Sequence, residues 1–143
     1  MLVSTRGRYA LRVMIDLAEH QGEGYVPLKE IAERQEISEK YLESILKTLV
    51  SNKVLVGVRG KGGGYRLAKS PDLYTVGSIL RMTEGNLAPV ACLEEGAEQC
   101  SRMASCPTIS MWKKLHSMID EFFDSITIAD LMQSSAPGDS YVI

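Results

Sequence analysis

Between two short apolar stretches, Val54–Val58 and Tyr65–Leu67, the chain packs four glycines and two cations into the six residues Arg59-Gly60-Lys61-Gly62-Gly63-Gly64. The first stretch is β-branched and apolar, which predicts a strand, and Tyr65-Arg66-Leu67 predicts its return. Glycines allow the sharp tip of a hairpin and let backbone approach another surface closely. Arg59, Lys61 and Arg66 place positive charge where that tip would project. A phosphate-binding nucleotide loop is the competing reading. The run lacks its Gly-Lys-Ser/Thr ending, and the strand that follows offers no helix N-terminus to a phosphate. A hairpin with no ligand also stays open, but it does not explain why cations gather at the tip.

The residues just upstream give the hairpin a context. Ser38 sits at an N-cap, with Ile37 and Leu42 spaced as a hydrophobic staple. Leu42, Ile45, Leu46 and Leu49 recur at i, i+3, i+4 and i+7, one buried stripe. Glu39, Lys40, Glu43, Ser44 and Lys47 are left on the open face, a polar ledge able to meet base edges and phosphates. Leu28–Arg34, with Leu28, Ile31 and Ala32 inward, predicts a shorter helix ending near Gln35. Two short helices with a tight link make a helix-turn-helix, with Ser38–Val50 as recognition helix. With the hairpin, the expectation is a winged helix-turn-helix: one helix for the major groove, one basic wing for the backbone or minor groove.

At 45% apolar and 24% charged, the 143 residues have an ordinary globular composition. No apolar run approaches the roughly 20 residues that span a bilayer, and no signal-peptide core stands at the N-terminus, so a cytoplasmic location without membrane contact is expected. The net charge of −2 looks unsuited to nucleic acid until it is divided along the chain. Residues 1–69 carry 12 Lys/Arg against 8 Asp/Glu, and residues 70–143 carry 4 against 10. The basic half fits a DNA-reading module, and the acidic half fits something that does not touch DNA.

The remaining segments predict a mainly α fold. Thr5–His20 is a long helix with Tyr9, Ala10, Val13, Met14, Leu17 and Ala18 inward. Its Arg6, Arg8 and Arg12 are either solvated or turned toward a phosphate backbone or a partner subunit. Gln21–Gly24 ends it, and Tyr25-Val26-Pro27 is an extended link. After a turn at Ser70-Pro71-Asp72, Thr75 caps a helix with Val76, Ile79, Leu80 and Thr83 inward and Gly85 at its C-terminal end. Pro107 suits the first turn of a long helix, Thr108–Ser125. Along it Trp112, Leu115, Ile119, Phe122 and Ile126 form a heptad-like seam, widened by Met111, Met118 and Phe123. A helix this apolar predicts pairing with a second copy, although burial against its own domain would also use it. Two-fold pairing matches DNA reading, because paired half-sites require it. Thr127–Met132 is a last helical turn, and Ser134–Ile143 is expected to be a loose tail. The expected organisation is a DNA-binding domain at 1–85, a cysteine loop at 86–106, a dimerisation segment at 107–133 and the tail.

Asn86–Cys106 has no clean period and holds Glu94, Glu95, Gly96, Glu98 and all three cysteines, Cys92, Cys100 and Cys106. An odd number of cysteines argues against a disulfide framework, and the close pairs favoured by zinc are absent. Three thiolates on one loop suit an iron–sulfur cluster. Buried structural cysteines and a redox-active thiol pair are the alternatives. With only His20 and His116 and no nucleophile–base spacing, the chain does not read as an enzyme.

Three segments together resemble one bacterial family of winged helix-turn-helix regulators, the family that includes IscR, NsrR and CymR. They are Ser4-Thr5-Arg6-Gly7-Arg8-Tyr9-Ala10, Ile37-Ser38-Glu39-Lys40-Tyr41-Leu42-Glu43, and Val58-Arg59-Gly60-Lys61-Gly62-Gly63-Gly64-Tyr65. The resemblance covers roughly residues 1–132, and the cysteines place the chain nearest the iron–sulfur branch. It implies a homodimeric transcription factor with a crossed dimerisation helix and a palindromic operator. Cys92, Cys100 and Cys106 would then hold the cluster, [2Fe-2S] in preference to [4Fe-4S], which a preparation made in air can lose. The signal would be iron–sulfur status, redox state or nitric oxide. Where IscR-like members supply a histidine this chain has Ile109, and where NsrR-like members supply a carboxylate it has Arg8, so the fourth ligand is unassigned. The resemblance also places Arg59 in the minor groove and Tyr41, Glu43 and Ser44 at the bases. The alternative it carries is a cluster-free, CymR-like regulator of sulfur metabolism acting through a protein partner or a thiol switch.

Overall fold

The computed structural model of the protein describes residues 3–22 and 24–134, so the expected tail beyond Ser134 lies outside the described residues. Among the described residues six α-helices and one hairpin follow in the order α1 (Thr5–His20), α2 (Leu28–Gln35), α3 (Glu39–Ser51), β1 (Leu55–Val58), β2 (Gly64–Leu67), α4 (Val76–Glu84), α5 (Ile109–Asp124) and α6 (Ile128–Ser134). This is the expected mainly α architecture with a two-stranded wing. One expected detail is corrected. Pro107 does not occupy the first turn of α5, which begins at Ile109 after an N-cap Thr108 whose side chain makes no capping bond.

The caps follow the sequence. Ser4, Ser38 and Thr75 accept hydrogen bonds from the backbone N–H of Gly7, Tyr41 and Ser78 respectively, each satisfying a donor that a helix start would otherwise orphan. α6 starts on a reciprocal pair, with Thr127 N–H donating to Asp130 Oδ2 at 2.9 Å and Asp130 N–H to Thr127 Oγ1 at 3.1 Å. Between α2 and α3 the chain turns on Glu36, whose φ of 54° is left-handed.

The core forms where the helical stripes meet. Ala10, Val13, Met14 and Leu17 of α1 are fully buried against Ile31 of α2, Leu42, Ile45, Leu46 and Leu49 of α3, Ile79 of α4 and Ile128 of α6. A smaller cluster joins Val76, Leu80 and Leu87 to Ile119, Phe123 and Ile126. The hairpin pairs Leu55 with Leu67 at its root and Val58 with Gly64 near its tip. Val26 adds a two-bond bridge to Tyr65, 2.8 Å each way. Gly64 makes that bridge possible: its φ is 147°, and a Cβ there would strike the Val26 carbonyl.

Two polar clasps lock the helices in place. Asp16 is buried on α1 and accepts from Arg34 Nη2 at 2.8 Å, Arg34 Nε at 3.0 Å and Gln35 Nε2 at 2.8 Å. This fork satisfies a buried carboxylate and pins the end of α2. In the second clasp Arg81 of α4 donates to Asp124 Oδ1 (2.8 Å) and Oδ2 (3.0 Å) and to Asp120 Oδ1 (2.9 Å) on α5. Backbone bonds between Val76 and Ile126, and between Ile128 and Tyr74, close the far end of α5 onto the start of α4.

The Arg81 guanidinium holds the Asp124 carboxyl below its ordinary value of 3.8. A carboxyl lowered by folding stabilises the native state above its unfolded pKa and loses that contribution as pH falls through the folded one. Arg81→Met is therefore expected to lower the urea midpoint at neutral pH by an amount that stays constant down to the ordinary carboxylate range and then shrinks. A gap unchanged at about pH 2.5 would show that the clasp acts through packing and not charge.

Candidate nucleic-acid interface

Burying one side of α3 obliges the other to face outward. Leu42, Ile45, Leu46 and Leu49 are fully buried, and Glu39, Lys40, Glu43, Ser44 and Lys47 are exposed. Ser38 is also exposed, with its hydroxyl accepting the Tyr41 N–H at 3.2 Å. Tyr41 is half-buried, its ring edge-on to Tyr9 at 5.9 Å.

The wing lies beside this face. Glu43, Lys47, Val50 and Ser51 of α3 share a groove of about 420 Å³ with Gly57, Val58, Arg59 and Tyr65 of the hairpin. Helix and wing thus line one surface, with Lys47 and Arg59 as its cations and Glu43 as its anion. Lys61 is exposed beyond it at the tip. Arg66 stands apart: it alternates with Tyr65 along β2 and stacks over Tyr25, its guanidinium 5.2 Å from the ring centroid.

The arginines of α1 are neither free in solvent nor uniformly outward. Arg6 reaches across to α3, donating to Ser44 Oγ at 2.8 Å, the Ser44 carbonyl at 3.0 Å and Thr48 Oγ1 at 2.6 Å. Arg12 stacks on Tyr9 and donates to the Gln35 side chain and carbonyl. Arg8 is exposed and donates to Thr5 at 3.1 Å. These pairings join residues up to 42 positions apart, and no helical period or short motif announces them. Val50 and Ser51 also line the groove, and no motif marks them.

The cysteine loop leaves α4 through Gly85 and is anchored by buried Leu87 and Ala88, after which most residues up to Thr108 are exposed. Its backbone bonds close single turns, such as Leu93 to Val90 and Met103 to Cys100. Cys92 and Cys106 are half-exposed, Cys100 is exposed, and all three are free thiols. The Thr108 hydroxyl and nearby backbone hold the Cys106 thiol below its usual value, favouring the thiolate that iron takes. Among the described residues no three His, Cys, Asp or Glu side chains stand together at metal-binding range. The donor chemistry suits an iron–sulfur cluster, then, while the three thiols are not gathered.

α5 carries no buried residue. Ile119 and Ile126 of the expected seam pack on their own domain with Phe123, and Trp112 is half-buried. Leu115 and Phe122 are exposed, and with Met111 and Met118 they make an outward stripe at i, i+4, i+7 and i+11. No described helix is long and apolar enough to cross a membrane.

A family model described as Rrf2, iron-dependent transcriptional regulator, matches residues 3–134. The HTH-type transcriptional regulator IscR of Erwinia tasmaniensis is 38% identical over 134 residues, covering 94% of this chain and 80% of that protein. Among solved structures, T. potens IscR is 38% identical, covers 99% of this chain and 93% of its own, and superposes with a TM-score of 0.75. CymR, the global cysteine regulator of B. subtilis, is 38% identical over 93% of this chain and 97% of its own, with a TM-score of 0.76.

Glu43 on this face would repel phosphate but could accept from the amino group of cytosine, and its expected role is to discriminate against wrong sequences. Glu43→Ala is expected to relax sequence preference more than it lowers total affinity, whereas Arg59→Ala should weaken binding and make it less salt-dependent. Equal loss for Glu43→Ala on selected and random duplexes, measured by fluorescence anisotropy at one salt concentration, would rule the discriminator role out.

Proposed function

This chain belongs to the Rrf2 family of transcriptional regulators, and from that premise we propose that it is a homodimeric DNA-binding regulator whose activity follows the state of an iron–sulfur cluster. Proteins of the family regulate transcription by binding DNA and are not enzymes. The observation that carries the reading is the shared groove of α3 and the wing, joined through α4 to a loop of three free thiols. Ser38, Glu39, Lys40, Tyr41, Glu43, Ser44 and Lys47 face the major groove of a palindromic operator. Arg59 and Lys61 meet the backbone or minor groove, and Arg66, stacked on Tyr25, serves as an outer phosphate contact.

Cys92, Cys100 and Cys106 would hold the cluster, [2Fe-2S] in preference to [4Fe-4S], with the fourth ligand unassigned. A bound cluster supplies a redox-active, nitric-oxide-sensitive crosslink within the loop. Cys92 lies eight residues after α4 and Cys106 three before α5, so drawing these thiols together acts on the two helices that Arg81 clasps. The loop's turns are local, which leaves its thiols free to gather. The expectation is that the anaerobically reconstituted protein and the protein with all three cysteines changed to alanine differ about tenfold or more in operator affinity at one fixed salt concentration. Equal affinities would remove the sensor role and leave DNA binding standing. A protein colourless after anaerobic purification that captured another protein would favour the CymR-like alternative, with the cysteines as thiol switches.

Dimerisation is supported by the outward stripe Met111, Leu115, Met118 and Phe122, which one chain leaves in water. About 25 cal/mol is recovered for each square ångström of apolar surface that a second copy covers. Leu115→Lys with Met118→Glu is expected to give a monomer by light scattering, with the helical content of the native protein retained. A dimer of unchanged affinity would move the interface elsewhere.

A further inference from the structure

The reach of Arg6 from α1 onto α3 has a consequence for how the recognition helix reads a base. The guanidinium is half-buried and spends three N–H donors on two neighbouring side chains and one carbonyl of α3. Only one of those partners, Ser44, also lies on the exposed ledge. A serine hydroxyl can donate once and accept twice, and left alone its hydrogen rotates to suit whatever it meets. At Ser44 the 2.8 Å bond from Arg6 Nη1 takes a lone pair. The cationic donor also turns the O–H dipole away from itself.

We infer that Arg6 is a specificity-setting positioning residue: by occupying the acceptor side of Ser44 Oγ it presents Ser44 to DNA as a hydrogen-bond donor. Ser44 then prefers an acceptor on a base edge, such as purine N7, guanine O6 or thymine O4, over the amino groups of adenine and cytosine. The neighbouring Glu43 can only accept while ionised. Positions 43 and 44 therefore carry opposite hydrogen-bonding polarity, and Arg6 fixes the second of them without touching a base. Thr48, bonded to the same guanidinium at 2.6 Å, holds the fork in register along the helix. Lysine at position 6 would keep the charge but lose the planar fork that reaches Ser44 and Thr48 together.

The inference rests on the DNA-reading role proposed for α3, and the experiment separates the two. The full-length protein is used to select binders from random-sequence duplex DNA, alongside Arg6→Lys and Ser44→Ala, with thermal melts to verify folding. Wild type is expected to enrich a sequence. Ser44→Ala should flatten the preference at one base pair per half-site by roughly tenfold. Arg6→Lys should flatten it at that same base pair, and the double variant should lose no more than either single one. A general loss of stability would lower affinity without erasing one base preference. The inference is overturned if Arg6→Lys keeps the wild-type preference. It is also overturned if Arg6→Lys loses affinity equally on all sequences, as a phosphate contact would, or if Ser44→Ala leaves every preference intact. A wild-type protein that enriches no sequence would sink the DNA-reading role itself, and this inference with it.

Discussion

The burial of one side of α3 against α1 is the constraint on which the rest of the molecule depends. Four leucine and isoleucine side chains of α3 lose all contact with water there, each contributing about 1.5–3 kcal/mol relative to exposure. A helix with such a stripe can present only its remaining face to solvent. The ledge from Glu39 to Lys47 is therefore a consequence of the core. The wing is placed by the same packing, because Leu55 and Leu67 at its root are buried in that core and the tip has no direction left but outward.

The second constraint is electrostatic and sits on α4. Its C-terminal Glu84 accepts from the backbone N–H and hydroxyl of Ser4 at 3.0 and 2.6 Å, placing a carboxylate at the positive end of α1. One turn earlier Arg81 clasps the acid pair of α5. Helix α4 thus touches both the helix that braces α3 through Arg6 and the helix that carries the outward apolar stripe, and the cysteine loop begins where α4 ends. Any force that the loop exerts on its two roots is delivered to this helix. Such a chain of packed and hydrogen-bonded elements is the physical means by which two distant sites come to bias one another.

Helix α5 shows how the two constraints divide a single element. Its apolar residues form one broad face. Ile119 and Phe123, with Ile126 just beyond, are used by the smaller core, and Arg81 holds Asp120 and Asp124 on the adjoining side. Met111, Leu115, Met118 and Phe122 are the large apolar side chains left exposed. The heptad seam read from the sequence mixes both sets, since periodicity reports that a position is apolar but not which neighbour covers it.

What the sequence determined by itself is the local grammar: the helix that Ser38 starts, the stripe that follows, the strands flanking the glycines, and the cysteines of one loop. The helix, the stripe and the strands rest on residues close together in the chain, where propensity, capping and period act, and the cysteines on composition alone. Tertiary structure alone decided which polar groups meet. Arg6 on Ser44, Asp16 beneath Arg34, Arg81 between two aspartates and the Val26 bridge at Gly64 all join residues far apart in the chain. A hydrogen bond is set by distance and angle in three dimensions, and no spacing in the sequence encodes it. For the same reason the groove between α3 and the wing was legible as two elements, and became one surface only when the core oriented both.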